Sequence, residues 1–327
     1  MTEADALRRA VELLCAGELV AFPTETVYGL GADAANPAAF AKIFAAKGRP
    51  ADHPLIVHVP DASHLGRWAR DIPPAAHELA NAFWPGPLTL ILKRGADVPD
   101  LVTGGQDSIG LRVPGHPLAL ELLRAFALVG GSGIAAPSAN RFGRISPTTA
   151  EHVHEELGSA VALVLDGGPC RVGIESTIVD LTRDAPVVLR PGVITSEAIE
   201  GVLSGPLATQ ASTAAPRVSG ALAAHYAPRT AMKLVSDDML AGEIARQVRN
   251  GMTVAVLTTG VAPEAHERVV WHQAPEDAAA YAHGLYASLR DLDHTGADVI
   301  LVQSPPRGST WVAVWDRLSR AECGAGE

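Results

Sequence analysis

The residues best suited to charge chemistry in this sequence are Lys47 and Arg49, two cations in the segment KGRP. Lys47 falls on the last turn of a predicted helix and Arg49 in the following loop, so both lie within reach of one phosphate group. Lysine offers a phosphate a point charge, whereas arginine offers a planar fork of donors. The alternative is structural, because cations near a helix C-terminus also offset its dipole. The chain has only four lysines among 26 basic residues, which favours a functional Lys47.

Arg112 is a charged residue within the apolar segment IGLRV. A buried arginine needs an anionic partner, which is either a structural carboxylate or an anion of the substrate. His58 lies in a similar setting within LIVHV, where a lone histidine is more often a satisfied core residue than a catalyst. Both positions are candidates for substrate contact, with a structural role as the alternative.

Small polar residues dominate the segment APSANRFGRISPTT at residues 136–149. A turn rich in hydroxyls and amides can present donors to a phosphate or a ribose, although the same composition is typical of an ordinary loop. The segments IESTIVDL and LRPG add Ser176, Thr177 and Arg190 at predicted strand ends. The sequence shows neither a Ser-His-Asp order nor the spacing of paired catalytic carboxylates.

The segment GLGADA at residues 29–34 has the letters of a dinucleotide-binding fingerprint but not its context. A fingerprint forms the turn from a strand into a helix, with an acidic residue about 20 residues further on. Here TETVY intervenes after the strand, and the helix begins only at Pro37. We therefore predict a tight glycine loop rather than a nicotinamide or flavin site.

Composition and spacing disfavour several classes of function. The net charge of −10 disfavours a protein that mainly grips nucleic acid, since counterion release requires a basic surface. Cys15, Cys170 and Cys323 form no CxxC pair, which favours a reducing, cytoplasmic compartment. His152 and His154 lack a convincing third ligand, so no protein-bound metal is expected. The opening MTEADALRRAVELL predicts a helix rather than a signal peptide, and no apolar run approaches the roughly 20 residues of a membrane span.

Apolar runs bounded by proline, glycine or charge predict five strands in the first part of the chain, at residues 19–23, 55–59, 88–92, 109–113 and 161–165. The clearest helix between them runs from Pro37 to Lys47. Asn36 is its expected N-cap, and Gly48 stands just past its end.

These patterns divide the chain into three parts. Residues 1–203 predict an α/β domain. Residues 204–229 lack periodicity and are rich in Ala, Ser, Pro and Gly, which predicts a linker. Strands and helices alternate over residues 230–327 and predict a small Rossmann-like domain with a parallel sheet.

Seven short motifs follow one another along the chain: PTETVYGLG (23–31), KGRP (47–50), PLIVH (54–58), RVPGHP (112–117), APSAN (136–140), ESTIVD (175–180) and RPG (190–192). In this order they resemble the YrdC-like threonylcarbamoyl-AMP synthases. HYAP at 225–228 and the domain after it are similar to the family's longer form, so the resemblance covers nearly the whole chain. It implies a YrdC-like twisted mixed sheet in the first domain.

Carried over position by position, the resemblance implies three groups of site residues. The catalytic cations are Lys47, near the phosphates, and Arg49. Threonine is expected at Thr26, His58, Arg112 and Ser176. ATP is expected at Arg49, His53, Ser108, Ser138, Asn140, Ser146, Arg190 and Tyr226, the last of which would reach the nucleotide from a linker lying over the active site. SGALAA before HYAP departs from the bulkier sequence expected there, which bears on how tightly this linker closes.

The implied reaction joins L-threonine, bicarbonate or CO2, and ATP into threonylcarbamoyl-AMP and pyrophosphate, the first step of threonylcarbamoyladenosine formation in tRNA. Such a nucleotidyltransferase needs alignment and cations rather than an enzyme nucleophile. Magnesium is expected to arrive with ATP. A downstream threonylcarbamoyl transferase complex is the expected partner, and tRNA is bound at most weakly. The alternatives are a carbamoyltransferase that uses carbamoyl phosphate and a non-catalytic RNA-binding module.

Overall fold

The computed structural model describes residues 2–50, 52–208, 215–260 and 266–326. Within it the chain forms two compact units, one of Met1–Phe142 with Pro147–Ala221 and the other of Gly143–Ser146 with Leu222–Glu327.

The predicted linker 204–229 is divided between these units. Its residues 215–221 belong to the first unit and its residues 222–229 to the second. Residues 209–214 lie outside the described residues.

Capping side chains begin four helices of the first unit. Its helices are α1 (Glu3–Cys15), α2 (Pro37–Lys47), α3 (Leu65–Trp68), α4 (Pro74–Phe83), α5 (Asp100–Thr103), α6 (Pro117–Leu128), α7 (Ala150–Leu157) and α8 (Ser196–Leu203). The four that begin at a capping side chain are α1, α2, α7 and α8. At the start of α2 the Asn36 side chain accepts a hydrogen bond from the Ala38 amide at 3.0 Å. Gly48 ends the same helix in the left-handed region with φ 63°, so both predicted caps are confirmed.

The first unit contains one mixed sheet of nine strands. Its strands are β1 (Val20–Phe22), β2 (Gly29–Asp33), β3 (Ile56–His58), β4 (Leu88–Lys93), β5 (Ser108–Arg112), β6 (Ile134–Ala135), β7 (Leu163–Val164), β8 (Thr177–Asp180) and β9 (Val187–Arg190). They are ordered β7-β1-β2-β6-β3-β5-β4-β8-β9. Each of the five predicted strands is present, and the α/β class of this unit is confirmed.

The glycine-rich segment GLGADA is a strand rather than the glycine loop that we predicted. Gly31 lies in β2, opposite Val20 of β1. A Cβ at Gly31 would stand 2.8 Å from Cε1 of Phe22 and 2.9 Å from Cγ2 of Ile134. Close packing, not a turn, therefore requires glycine here.

The second unit is a small parallel α/β domain, as predicted. Its elements are β10 (Met232–Val235), α9 (Asp237–Arg249), β11 (Val254–Thr258), β12 (Val269–Gln273), α10 (Ala278–Asp293), β13 (Val299–Gln303) and α11 (Val312–Gly324). The strands are ordered β10-β13-β11-β12, and all neighbours are parallel. Sequence patterns identified each of these elements except β12, which lies at the sheet edge. No helix of the described residues is long and apolar enough to cross a membrane.

Candidate active site

Arg112 forms a buried ion pair. The sequence did not decide whether its partner is a structural carboxylate or a substrate anion. At the end of β5, its Nη2 donates to Oε1 of Glu25 at 2.7 Å and to Oγ1 of Thr26 at 3.0 Å. Its Nε donates to the Gly86 carbonyl at 3.3 Å. The other carboxylate oxygen of Glu25 accepts from the Gly115 amide at 2.8 Å. Arg112 thus has a structural carboxylate, and the predicted threonine residue Thr26 is hydrogen-bonded to it.

Glu25 is a site residue that sequence reasoning missed. Its side chain is 6% exposed, and that of Arg112 is 5% exposed. A signal was present, because Glu25 is the only charged residue between positions 19 and 32. A lone carboxylate that is buried in an apolar segment needs a cationic partner, just as the buried Arg112 needs an anionic one.

His58 stands beside Arg112 in the sheet, since the parallel register of β3 and β5 pairs the two residues directly. Its ring packs edge-on against Phe22, with centroids 6.0 Å apart. Burial, and then the charge of Arg112, lower the pKa of His58 to about 3, so the imidazole is neutral at physiological pH. The neutral ring keeps one buried nitrogen, Nδ1, that makes no hydrogen bond within the described residues.

Ser176 belongs to a hydroxyl and guanidinium network across three strands. Its Oγ lies 2.8 Å from Oγ1 of Thr89 on β4, another residue that sequence reasoning missed. Arg190, the last residue of β9, donates through Nη2 to the Ser176 hydroxyl at 3.1 Å and to its carbonyl at 2.9 Å. The predicted threonine residue Ser176 and the predicted ATP residue Arg190 are therefore in direct contact.

Lys47 ties the end of α2 to the APSAN segment. Its Nζ donates to the carbonyls of Ser138 and Asn140, each at 2.5 Å, and the side chain is buried. Burial is the main cause that lowers the Lys47 pKa well below its usual value, and the nearby Arg49 lowers it further. Three predicted nucleotide residues are thus assembled around one ammonium group.

Arg49 and His53 share an aromatic neighbour. The Arg49 guanidinium lies 5.9 Å from the ring centroid of Phe142, and the His53 ring meets the same ring edge-on at 5.3 Å. Partial burial, and then the charge of Arg49, lower the pKa of His53. Arg49 also donates through Nη2 to the Pro54 carbonyl at 2.9 Å and to Oγ of Ser219 at 3.1 Å.

Residues 215–221, called the strap below, connect the two predicted ATP arginines. The Ser219 hydroxyl accepts from Arg49, and its carbonyl accepts from Nη1 of Arg190 at 2.9 Å. Arg217 anchors the strap by donating to the carbonyls of Gly104 at 2.9 Å and Asp52 at 3.2 Å. Sequence reasoning expected a linker here but did not identify Ser219.

Three predicted ATP residues stand apart from these contacts. Ser108 is buried at the start of β5, at an even spacing from Arg112 and hence on the same face of the sheet. Ser146 and Tyr226 belong to the second unit, where both are buried. The Tyr226 backbone is left-handed with φ 63°, and its ring stacks on Tyr286 at 5.7 Å. The structure therefore brings the other predicted site residues together within the first unit.

A protein-held metal does not fit the donor set. The residues that the structure describes contain no group of three His, Cys, Asp or Glu side chains able to hold a metal ion.

Comparison with known families gives matches for both domains. Residues 12–192 match the Sua5, YciO and YrdC family, which is described as telomere recombination. Residues 194–323 match the family described as threonylcarbamoyl-AMP synthase, C-terminal domain. The fold and these matches define a two-domain enzyme of the YrdC-like class.

Individual relatives narrow this class. The threonylcarbamoyl-AMP synthase of Pyrococcus abyssi is 40% identical, with 96% of this chain and 93% of the relative covered. That of Bacillus subtilis is 41% identical, with 97% and 93% covered. A crystal structure of P. abyssi Sua5 complexed with L-threonine superposes with a TM-score of 0.89 at 38% identity, covering 99% of this chain and 96% of that one. The chain belongs to the threonylcarbamoyl-AMP synthase family in its two-domain form.

Proposed function

We propose that this chain condenses L-threonine, bicarbonate and ATP into threonylcarbamoyl-AMP, with release of pyrophosphate and water. The observation that carries the proposal is the buried, cation-rich face of the first unit, where Lys47, Arg49, Arg112 and Arg190 are each less than 10% exposed. Cations buried in this way suit a triphosphate and a carboxylate, which bring the opposite charge into the site. The full-length relatives support the same reaction.

At the threonine end, Arg112 would bind the substrate carboxylate. Its Nε and Nη2 donate to protein groups, and a carboxylate can take the donors of Nη1. Thr26 and Ser176 would bind the amino and hydroxyl groups, and neutral His58 would contact the amine through its unused nitrogen. One proton from threonine's ammonium group converts bicarbonate into CO2 and water, and a second proton passes to solvent. The nitrogen lone pair attacks the carbon of CO2, so the new C–N bond forms as one C=O π bond becomes the carbamate oxyanion.

At the ATP end, the carbamate oxygen attacks the α-phosphorus, and the bond to the bridging oxygen of pyrophosphate breaks. Lys47 and Arg49 would face the negative charge that develops on the phosphates. Alignment of the two substrates supplies the rest of the rate enhancement, and no covalent enzyme intermediate is needed. The remaining ATP contacts are proposed for His53, Ser108, Ser138, Asn140, Ser146, Arg190 and Tyr226.

Magnesium enters this scheme as part of the Mg-ATP substrate, since Mg2+ in nucleotide sites is held largely by phosphates and water. The product would pass to a downstream threonylcarbamoyl transferase complex in the cytoplasm. Contact with tRNA would be weak, in keeping with the net charge of −10.

In this proposal residues 1–203 form the catalytic domain, residues 204–229 a linker that covers its site, and residues 230–327 a small C-terminal domain. The strap contacts both Arg49 and Arg190, so phosphate binding to these arginines should alter its hydrogen bonds. Hydrogen exchange of the strap amides should slow when ATP and threonine are added together. Unchanged exchange would argue against a covering role.

The decisive experiment measures pyrophosphate release with Mg-ATP and bicarbonate, with and without threonine. Release that requires both threonine and bicarbonate establishes the synthase. Release with carbamoyl phosphate in place of bicarbonate and threonine indicates the carbamoyltransferase, and RNA binding without any turnover indicates the binding module.

Variants test the assigned roles in the same assay. We expect Lys47→Ala and Arg49→Ala each to remove most turnover, because phosphate charge is left uncompensated. Arg112→Ala should mainly raise the KM for threonine. The exposed residue Arg67 provides a control, since Arg67→Ala should retain wild-type turnover. Near-wild-type activity in the three site variants would contradict the assignment.

A further inference from the structure

The Arg112–Glu25 pair carries no net charge of its own, and Arg190, which donates to Ser176, is a further cation at the proposed threonine end. The side chains of Arg112 and Glu25 are almost fully buried, and the Nη2 to Oε1 distance is 2.7 Å. The Glu25 carboxylate is held at both oxygens, by Arg112 and by the Gly115 amide. Its position is therefore fixed relative to the guanidinium.

The ionisable groups on which these two charges act are themselves uncharged. Burial and Arg112 keep His58 neutral, with a pKa of about 3. Burial is the main cause that lowers the pKa of His116, and this group also feels the charge of Glu25. Burial raises the pKa of the Cys170 thiol to about 12, although both Glu25 and Arg112 act on it. Arg112 and Glu25 are thus charged neighbours of these groups, and Arg171 acts on His116 as well.

Arg112 retains donors for a ligand at Nη1, the terminal nitrogen that does not bond to Glu25. Its Nε and Nη2 donate to protein groups, whereas Nη1 makes no hydrogen bond with the described residues. A carboxylate bound at Nη1 brings one negative charge beside a buried pair whose own charges are already balanced. A ligand that carries a positive group beside that carboxylate restores the balance, and this avoids burying an uncompensated charge.

We propose that Glu25 is a specificity-determining residue that makes this pocket bind an α-amino acid as its zwitterion and reject simple carboxylates. The substrate carboxylate binds Arg112, and the adjacent ammonium group is stabilised by the negative charge of Glu25. Without Glu25 the charge of Arg112 would be uncompensated, and this position would favour an anion. This inference rests on the proposed function and deepens it, because it identifies the residue that selects the charge type of the amino acid substrate.

The test compares two ligands of equal size in wild type and E25Q. One is L-threonine, and the other is 2,3-dihydroxybutanoate, in which a hydroxyl replaces the α-amine. Isothermal titration without ATP measures both dissociation constants. We expect wild type to bind threonine more tightly than the hydroxy acid. In E25Q threonine should weaken by roughly ten- to hundredfold, the worth of one buried charge-assisted contact, while the hydroxy acid should bind as well as or better than in wild type.

A purely structural role for Glu25 predicts a different result. If Glu25 only holds Arg112 in place, E25Q should weaken both ligands by the same factor, and that outcome would overturn the proposal. E25D keeps the charge and should restore part of the preference for threonine. E121Q removes an exposed carboxylate of α6 and should leave both constants unchanged.

Two further measurements keep the proposal testable if E25Q folds poorly. Wild type alone should reject both the hydroxy acid and threonine methyl ester, a cation without a carboxylate, and equal binding of threonine and the hydroxy acid would refute the charge argument. Threonine-dependent pyrophosphate release by wild type distinguishes failure of the proposed synthase function from failure of the proposed role of Glu25. If release is absent, the proposed function fails. If release is present but the ligand preference is not, only the role of Glu25 fails.

Discussion

Replacing Lys47 with methionine should change how the stability of the first unit depends on pH. Burial holds the Lys47 pKa in the folded protein well below the usual 10.5. Between the folded pKa and 10.5, the unfolded chain binds this proton and the folded protein does not, so the free energy of unfolding rises with pH. The slope approaches about 1.4 kcal/mol per pH unit for one group. Below the folded pKa both states are protonated, and the full cost of burying the ammonium remains.

Methionine at this position has no proton to bind, so the contribution of residue 47 to the increase of unfolding free energy with pH should disappear in Lys47→Met. The wild type minus variant difference in unfolding free energy should therefore increase with pH up to 10.5. At any one pH, two opposing contributions also determine the size of this difference in unfolding free energy. Loss of the hydrogen bonds to the Ser138 and Asn140 carbonyls should cost about 1–3 kcal/mol each, whereas removal of a buried charge is favourable by several kcal/mol.

Urea unfolding of wild type and variant at several values between pH 7 and pH 10 measures this difference. The control is Lys42→Met, which removes a lysine of α2 whose side chain is 42% exposed and ion-paired with Glu18. A difference that stays constant over the whole range would show that Lys47 is protonated in both states, and would refute the reasoning. The sign of the slope against pH is the critical feature. If the wild type minus variant difference in unfolding free energy fell as pH rose, the folded protein would stabilise the Lys47 ammonium group.

Two smaller predictions concern packing around the site. Thr89→Val removes the hydroxyl that lies 2.8 Å from the Ser176 hydroxyl. We expect the free energy of unfolding in urea to fall by about 1 kcal/mol and the KM for threonine to rise several-fold. An unchanged KM would show that Thr89 does not contribute to threonine binding. Gly31→Ala places a methyl group 2.8 Å from the Phe22 ring and should cost about 1–3 kcal/mol, whereas Gly66→Ala, with no atom within 4 Å, should cost little. Equal stability of the two alanine variants would contradict the close-packing argument for β2.

The strands that the sequence predicted are those in which side chains dominate the pattern. LTLIL and LIVHV carry large apolar residues along β4 and β3, and both were identified. The glycine-rich β2 has no such pattern, because its place in the sheet depends on how closely β1 and Ile134 approach its backbone. The edge strand β12 contains only half-buried and exposed residues, so a buried-strand pattern is absent from it.

The candidate site shows the same limit at the level of single contacts. Local motifs identified Arg112 and Ser176, but not the residues that bond to them. Glu25 is 87 positions from Arg112, and Thr89 is 87 positions from Ser176. Pairing across such distances is set by strand order, which a single sequence does not reveal. What the sequence did supply was the requirement for a partner, since a charge in an apolar strand has to be compensated.

The two ends of the proposed site compensate their buried cations in different ways, and the proposed substrates would explain the difference. Lys47 donates to two neutral carbonyls, whereas Arg112 is paired with a carboxylate. A triphosphate brings only negative charge, and neutral dipoles can yield to it without leaving an anion behind. An amino acid brings both signs, so a cation paired with a fixed carboxylate matches it and remains neutral before and after binding. Exchanging the two kinds of partner would leave Lys47 less attractive to phosphate and the threonine end open to any small anion.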